Sequence, residues 1–171
     1  MSGMLRLGLR LAALVALLDQ ATKWGFYAWL TGLAFWDRAP VPLPRGPVVE
    51  ATPFLNFVVV WNHGVSFGMF NRGSDEAAWI LVLVALAITG AMAWWLARAP
   101  SRLVAAALGL VIGGALGNVV DRIRFGAVFD FVDLHVAGWH WPAFNVADAA
   151  IVAGAGLLLL DALFAPKPSG K

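Results

Sequence analysis

Apolar residues gather into four long runs, at about residues 11–30, 77–97, 103–120 and 144–164. Each approaches the roughly 20 residues that a helix needs to cross a bilayer. The first run follows Arg6 and Arg10 and so looks like a signal peptide. No small-residue cleavage site follows it, however, and the chain continues through Asp19-Gln20-Ala21-Thr22-Lys23-Trp24. It therefore reads as a mature helix. Two segments separate the runs on one side, residues 31–76 and 121–143. The first opens with Pro40, Pro42, Pro44 and Pro47, which exclude a helix. It then presents Phe54-Leu55-Asn56-Phe57-Val58-Val59-Val60-Trp61, β-branched and aromatic, bounded by Asn62-His63-Gly64. That pattern predicts a strand and a small β platform resting on the membrane face.

Composition sharpens the picture. Hydrophobic residues make up 61% of the 171 and charged residues 13%, against about 45–50% and 25% in soluble domains. One small core cannot hide that excess, so much of it must face lipid. The net charge of +2 does not point to nucleic acid, and the absence of cysteine excludes disulfides and thiolate metal sites. The basic residues matter by position. Arg6 and Arg10 precede the first run, Arg98 and Arg102 flank the second turn, and Lys167 and Lys171 follow the last run. Alternating helices place all six on one side, which the positive-inside rule makes cytoplasmic. Arg38, Arg45 and Arg72 on the other side are diluted by Asp37, Glu50, Asp75 and Glu76. The expectation is a single integral-membrane domain over residues 1–171. It is mainly α, with four transmembrane helices, a small periplasmic β platform and both termini cytoplasmic.

Ionisable residues inside apolar helices cost at least about 2.5–3.5 kcal/mol each and generally face the protein interior. Asp19 and Lys23 are four apart, one helical turn, and so can pair. An internal ion pair docking the first helix explains them without chemistry. Asn118, Asp121 and Arg122 share one face at the end of the third run, and Arg122 could simply snorkel to headgroups. Asn145 and Asp148 open the fourth run at i, i+3 spacing, preceded by Asp130 and Asp133. Topology brings Asp121, Asp130, Asp133 and Asp148 to the same outer interface. Asp161 falls at the opposite end. Two close carboxylates share one proton, so one can activate water while the other protonates a leaving group. That suffices for peptide hydrolysis without a metal. His63, His135 and His140 lack metalloprotease spacing, and Ser66 and Ser101 lack a nucleophile elbow. Gly109, Gly113 and Gly117 form a small-residue ridge for close helix packing. A small transporter or proton channel is the rival reading. It would need ionisable groups along the whole depth, whereas the second and third runs carry none in their inner halves.

Five motifs occur in order along the chain: Asp19-Gln20-Ala21-Thr22-Lys23, Asn62-His63-Gly64-Val65-Ser66-Phe67-Gly68, Gly113 to Arg122, Val128-Phe129-Asp130-Phe131, and Phe144-Asn145-Val146-Ala147-Asp148. The ordered set resembles the lipoprotein signal peptidases of bacteria, also called signal peptidase II. The resemblance implies that Asp130 and Asp148 form the catalytic dyad, a choice that spacing alone leaves open among Asp121, Asp130 and Asp133. It further implies that Asn62, Asn118, Arg122 and Asn145 line the substrate site, with Asp19, Lys23, Gly64 and Asp121 supporting it. Its substrates would be diacylglyceryl-modified prolipoproteins, cut before the lipidated cysteine at the outer face of the inner membrane. No cofactor, metal or nucleic acid is expected. Membrane lipid surrounds the protein, which is expected to act as a monomer.

Overall fold

The structure, a computed structural model, describes residues 2–34, 46–64 and 75–164, with the backbone alone for 75–77. Pro40, Pro42, Pro44, Arg38, Arg45, Ser66, Arg72, Lys167 and Lys171 lie outside the described residues.

Helix α1 runs over Gly3–Thr31, eight residues earlier than the apolar run suggests, because Ser2 accepts a capping hydrogen bond from the Leu5 N–H and carries the helix through Arg6 and Arg10. Strands β1 (Val48–Thr52) and β2 (Leu55–Asn62) follow, then α2 (Asp75–Leu96). Helix α3 (Arg102–Phe125) is capped by Ser101 and stopped by Gly126 in the left-handed region. It continues five residues past the expected end at 120, so Asp121 and Arg122 lie on its last turns. The segment expected to join helices 3 and 4 as a loop instead holds β3 (Val128–Val136) and β4 (Trp139–His140). Ala137 and Gly138 both have positive φ (49° and 82°), which matches the twist of a two-residue hairpin loop. Helix α4 spans Val146–Phe164, with Asn145 just outside it.

The four strands form one antiparallel sheet in the order β1-β2-β3-β4. Its central pairing, β2 with β3, runs from Leu55↔Leu134 to Asn62↔Val128, with a bulge on β2 between Phe57 and Val60. Phe144 adds one further bridge to Val132, through bonds of 2.9 and 3.0 Å. That bridge pins the entrance of α4 to the strand carrying Asp130.

This is a mainly helical membrane protein. Segments Ala78–Leu96, Arg102–Phe125 and Val146–Phe164 are long and apolar enough to cross a bilayer. Their outward residues, such as Leu83, Val84, Ile88, Val152 and Leu159, are exposed and apolar. Helix α3 is the buried one, because its glycines admit α1 and α4 to backbone contact. A Cβ on Gly109 would stand 2.5 Å from the Gly8 carbonyl oxygen, one on Gly113 2.5 Å from that of Ala12, and one on Gly154 of α4 2.6 Å from that of Ala107. The small-residue ridge is thus a packing device.

Two apolar layers result. One joins Ala12, Leu96, Val104, Ala105, Leu108 and Ile112 near the start of α3. The other packs Tyr27, Phe129 and Phe131 between α1 and the sheet, with Phe26 stacked on Phe131 at 4.4 Å and Tyr27 edge-on to Phe129 at 5.5 Å. Between them lies a polar layer.

Candidate active site

The polar layer begins on α1. Asp19 and Lys23 point inward from successive turns, both wholly buried, and their charged atoms meet at 2.8 Å. The expected pair is therefore present, and it is larger than a pair. Lys23 Nζ also lies 2.8 Å from Asp121 Oδ2 and donates to Asn118 Oδ1 at 3.1 Å. All three of its donors are used. Asp19 Oδ1 accepts the Ala147 N–H at 2.9 Å, which ties α1 to the first turn of α4. Asp121 Oδ2 accepts the Phe129 N–H at 3.2 Å and so holds the backbone next to Asp130. Removing one partner from such a buried set typically costs about 3–5 kcal/mol, because the remaining charge is left uncompensated.

Gln20 completes this group. Its amide nitrogen reaches Asp121 Oδ1 at 2.8 Å, the Gly117 carbonyl at 3.2 Å and Asp19 Oδ2 at 3.3 Å. In the sequence Gln20 stands out only as part of the Asp19-to-Lys23 motif. The signal was there, since an amide in an apolar helix needs internal partners as much as a charge does.

Above this group sit the two candidate catalytic carboxylates. Asp130 projects from β3. Its Oδ1 accepts from Asn145 Nδ2 at 2.7 Å and its Oδ2 from Asn62 Nδ2 at 3.1 Å. Asp148 projects from the first turn of α4. Its Oδ1 accepts from Asn118 Nδ2 at 2.8 Å and its Oδ2 from the Asn145 N–H at 3.3 Å. The Asp148 N–H donates in turn to Asn145 Oδ1 at 3.0 Å, so the two residues cap α4 reciprocally. Asn145 therefore touches both aspartates and is itself fully buried. Burial, and then the negative charge of Asp148, raise the Asp130 pKa to about 7, against the opposing hydrogen bonds from Asn62 and Asn145 and the more distant Lys23 charge.

Gly64 serves Asn62. Its φ of +79° is one that side chains with a Cβ rarely adopt, and its N–H donates to Asn62 Oδ1 at 2.8 Å. That bond leaves the Asn62 NH₂ facing Asp130. Arg122 lies partly buried on α3. Among the described residues its Nε has no hydrogen-bond partner, although Asp148, Asp121 and Asp130 all lie close enough to act on its charge. It thus brings an unused buried donor beside the carboxylates. Of the residues expected to converge, Asn118 and Asp121 meet at Lys23, and Arg122 lies within reach of the Asp121 charge.

Asp133 is elsewhere. It accepts from Asn56 Nδ2 across the strands at 3.0 Å and meets His140 Nδ1 at 2.9 Å. Burial works against its ionised form. The hydrogen bonds from His140 and Asn56, and the charges of His140 and His135, outweigh that and lower its pKa. His63 is exposed, and His135 stacks on His140 at 5.0 Å. Among the described residues no three His, Asp or Glu side chains are grouped to hold a metal ion.

Residues 11–164 match the family model described as signal peptidase (SPase) II. A lipoprotein signal peptidase of Methylobacterium sp. (strain 4-46) is 50% identical over 92% of this chain and 89% of its own length. One of Sphingopyxis alaskensis is 41% identical over 98% and 91%. A structure described as a bacterial membrane enzyme, solved by the in meso method at 1.9 Å resolution, superposes with a TM-score of 0.72 at 26% identity, over 93% of this chain and 94% of that one.

Proposed function

The chain belongs to the signal peptidase II family of membrane peptidases, which remove signal peptides from prolipoproteins, and on that basis we propose that Asp130 and Asp148 are its catalytic dyad. The observation that carries this reading is Asn145, whose amide binds Asp130 while its backbone N–H binds Asp148. One residue thereby holds two carboxylates on a common target. Asp130, with its pKa near 7, holds the shared proton at neutral pH. Asp148 is the partner that accepts a proton from water.

Asp148 takes a proton from water as the oxygen attacks the scissile carbonyl carbon, and Asp130 gives its proton to the carbonyl oxygen. When the C–N bond breaks, the proton on Asp148 passes to the leaving amine, and the new acid returns a proton to Asp130. Both carboxyls end as they began. Asn62, Asn118 and Asn145 hold the pair in place. Arg122, whose Nε has no partner among the described residues, lines the substrate site and orients the peptide. The substrate reading is a diacylglyceryl-modified prolipoprotein cut before its lipidated cysteine, which enters from the lipid beside α4.

The fourth span in this reading is α1. Its outward residues Leu14, Leu17 and Leu18 are exposed and apolar, while Asp19 and Lys23 turn inward. Both termini then lie in the cytoplasm and the dyad at the outer face of the inner membrane, in a single membrane domain that works as a monomer. A reporter fused after Lys171 should read as cytoplasmic; a periplasmic reading would sink this topology.

The direct test is cleavage of a lipidated prolipoprotein by purified protein. Asp130→Asn and Asp148→Asn should each lower turnover by at least about 10³-fold with the fold intact. An active Asp130→Asn protein beside an inactive Asp133→Asn protein would overturn the assignment.

A further inference from the structure

An asparagine side chain presents an acceptor on one side and a donor on the other, and a half-turn exchanges them. Three asparagines each present NH₂ to a dyad carboxylate: Asn62 and Asn145 to Asp130, and Asn118 to Asp148. What prevents each amide from turning differs. Asn62 Oδ1 accepts the Gly64 N–H, and Asn145 Oδ1 accepts the Asp148 N–H. A backbone N–H can only donate, so those two amides are fixed by main chain. Among the described residues Asn118 Oδ1 has no such bond. Its Oδ1 faces Lys23 Nζ at 3.1 Å and, less closely, Asn145 Nδ2 at 3.3 Å. Lys23 is therefore the charged lock on the third amide. Turning Asn118 would set its NH₂ against an ammonium and its oxygen against a carboxylate.

We infer that Lys23 is a positioning residue that acts through Asn118, holding that amide so that only N–H groups face Asp148. This rests on the reading of Asp130 and Asp148 as the dyad. Asp148 must remain the unprotonated member to accept a proton from water. An Asn118 carbonyl turned toward it would be satisfied only by a proton on Asp148, which is the wrong partner to hold it. Lys23 has a second, structural task in neutralising Asp19 and Asp121. The two tasks separate experimentally, because only the first passes through Asn118.

The test is a double-mutant cycle under single-turnover conditions, where slow variants remain measurable. Lys23→Met is combined with Asn118→Ala. The pair Asp19→Asn/Lys23→Met, which keeps the net charge of the buried group, repeats the cycle in case Lys23→Met alone does not fold. With Asn118 present, loss of Lys23 should slow the chemical step about ten-fold or more while substrate affinity stays within about two-fold. In the Asn118→Ala background the same change should cost no more than about two-fold. Additive losses, or a loss of affinity at an unchanged chemical rate, would overturn the inference. Such a result would leave the dyad standing if Asp130→Asn and Asp148→Asn are still inactive; activity in those two would instead remove the reading beneath it.

Discussion

Asp130 and Asp133 lie three residues apart on β3, and the fold gives them opposite characters. Both are buried and both accept an asparagine amide. Side chains alternate along a strand, so an odd separation sends them to opposite faces. Asp130 meets a second carboxylate and amide donors, and its pKa rises to about 7. Asp133 meets His140, whose ring is a potential cation, and its pKa falls. Burial acts on the two in the same direction. At Asp130 the Asp148 charge adds to burial, whereas at Asp133 the hydrogen bonds from His140 and Asn56, helped by the histidine charges, outweigh it.

The largest way to break this contrast in solution is pH. Asp130 is protonated below about pH 7 and ionised above it, so turnover should fall about ten-fold per pH unit on the alkaline side. The kcat profile of purified protein checks this, and a rate flat from pH 7 to 9 would contradict the acid role. The Asp133→Asn variant should show the same alkaline fall, because Asp133 is not on that face.

The smallest effect should come from Asp133 itself. Its lowered pKa means that it favours folding above the ordinary carboxylate range, a contribution lost as pH falls through its own pKa. Asp133→Asn should therefore lower Tm slightly at neutral pH and not at all in acid. The His140 side chain is 53% exposed, so water screens the pair and about 1 kcal/mol is the ceiling. Activity should stay within about two-fold. A large loss of cleavage in this variant would mean that the two faces are coupled.

The same contrast shows what was legible in the sequence. Helices α2 and α4 followed from apolar length, and the Asp19–Lys23 pair from the helical period. Strand β3 was not expected, although Val128–Val136 is rich in β-branched and aromatic residues; it pairs with β2, some 70 residues earlier in the chain. Taken as a loop, it leaves Asp130 and Asp133 equivalent; taken as a strand, alternation separates them without any family resemblance. The ends of α1 and α3 were set by Ser2, Ser101 and Gly126, local caps that an apolar count ignores. Gln20 and Asn56 each complete the hydrogen bonding of an aspartate, a partnership across distant segments that sequence spacing does not display.

The glycine seam has a consequence for the cell's energy supply. Below the carboxylates, α3 meets α1 and α4 backbone to backbone, and the layer beneath is built from Ala12, Leu96, Val104, Ala105, Leu108 and Ile112. None of these side chains can take up or hand on a proton. A bilayer that stores a proton gradient tolerates acids only where they do not connect its two sides. In the proposed orientation this seam insulates them: the acids would open toward one compartment only, and the apolar barrier beneath would keep a hydrolase from becoming a leak.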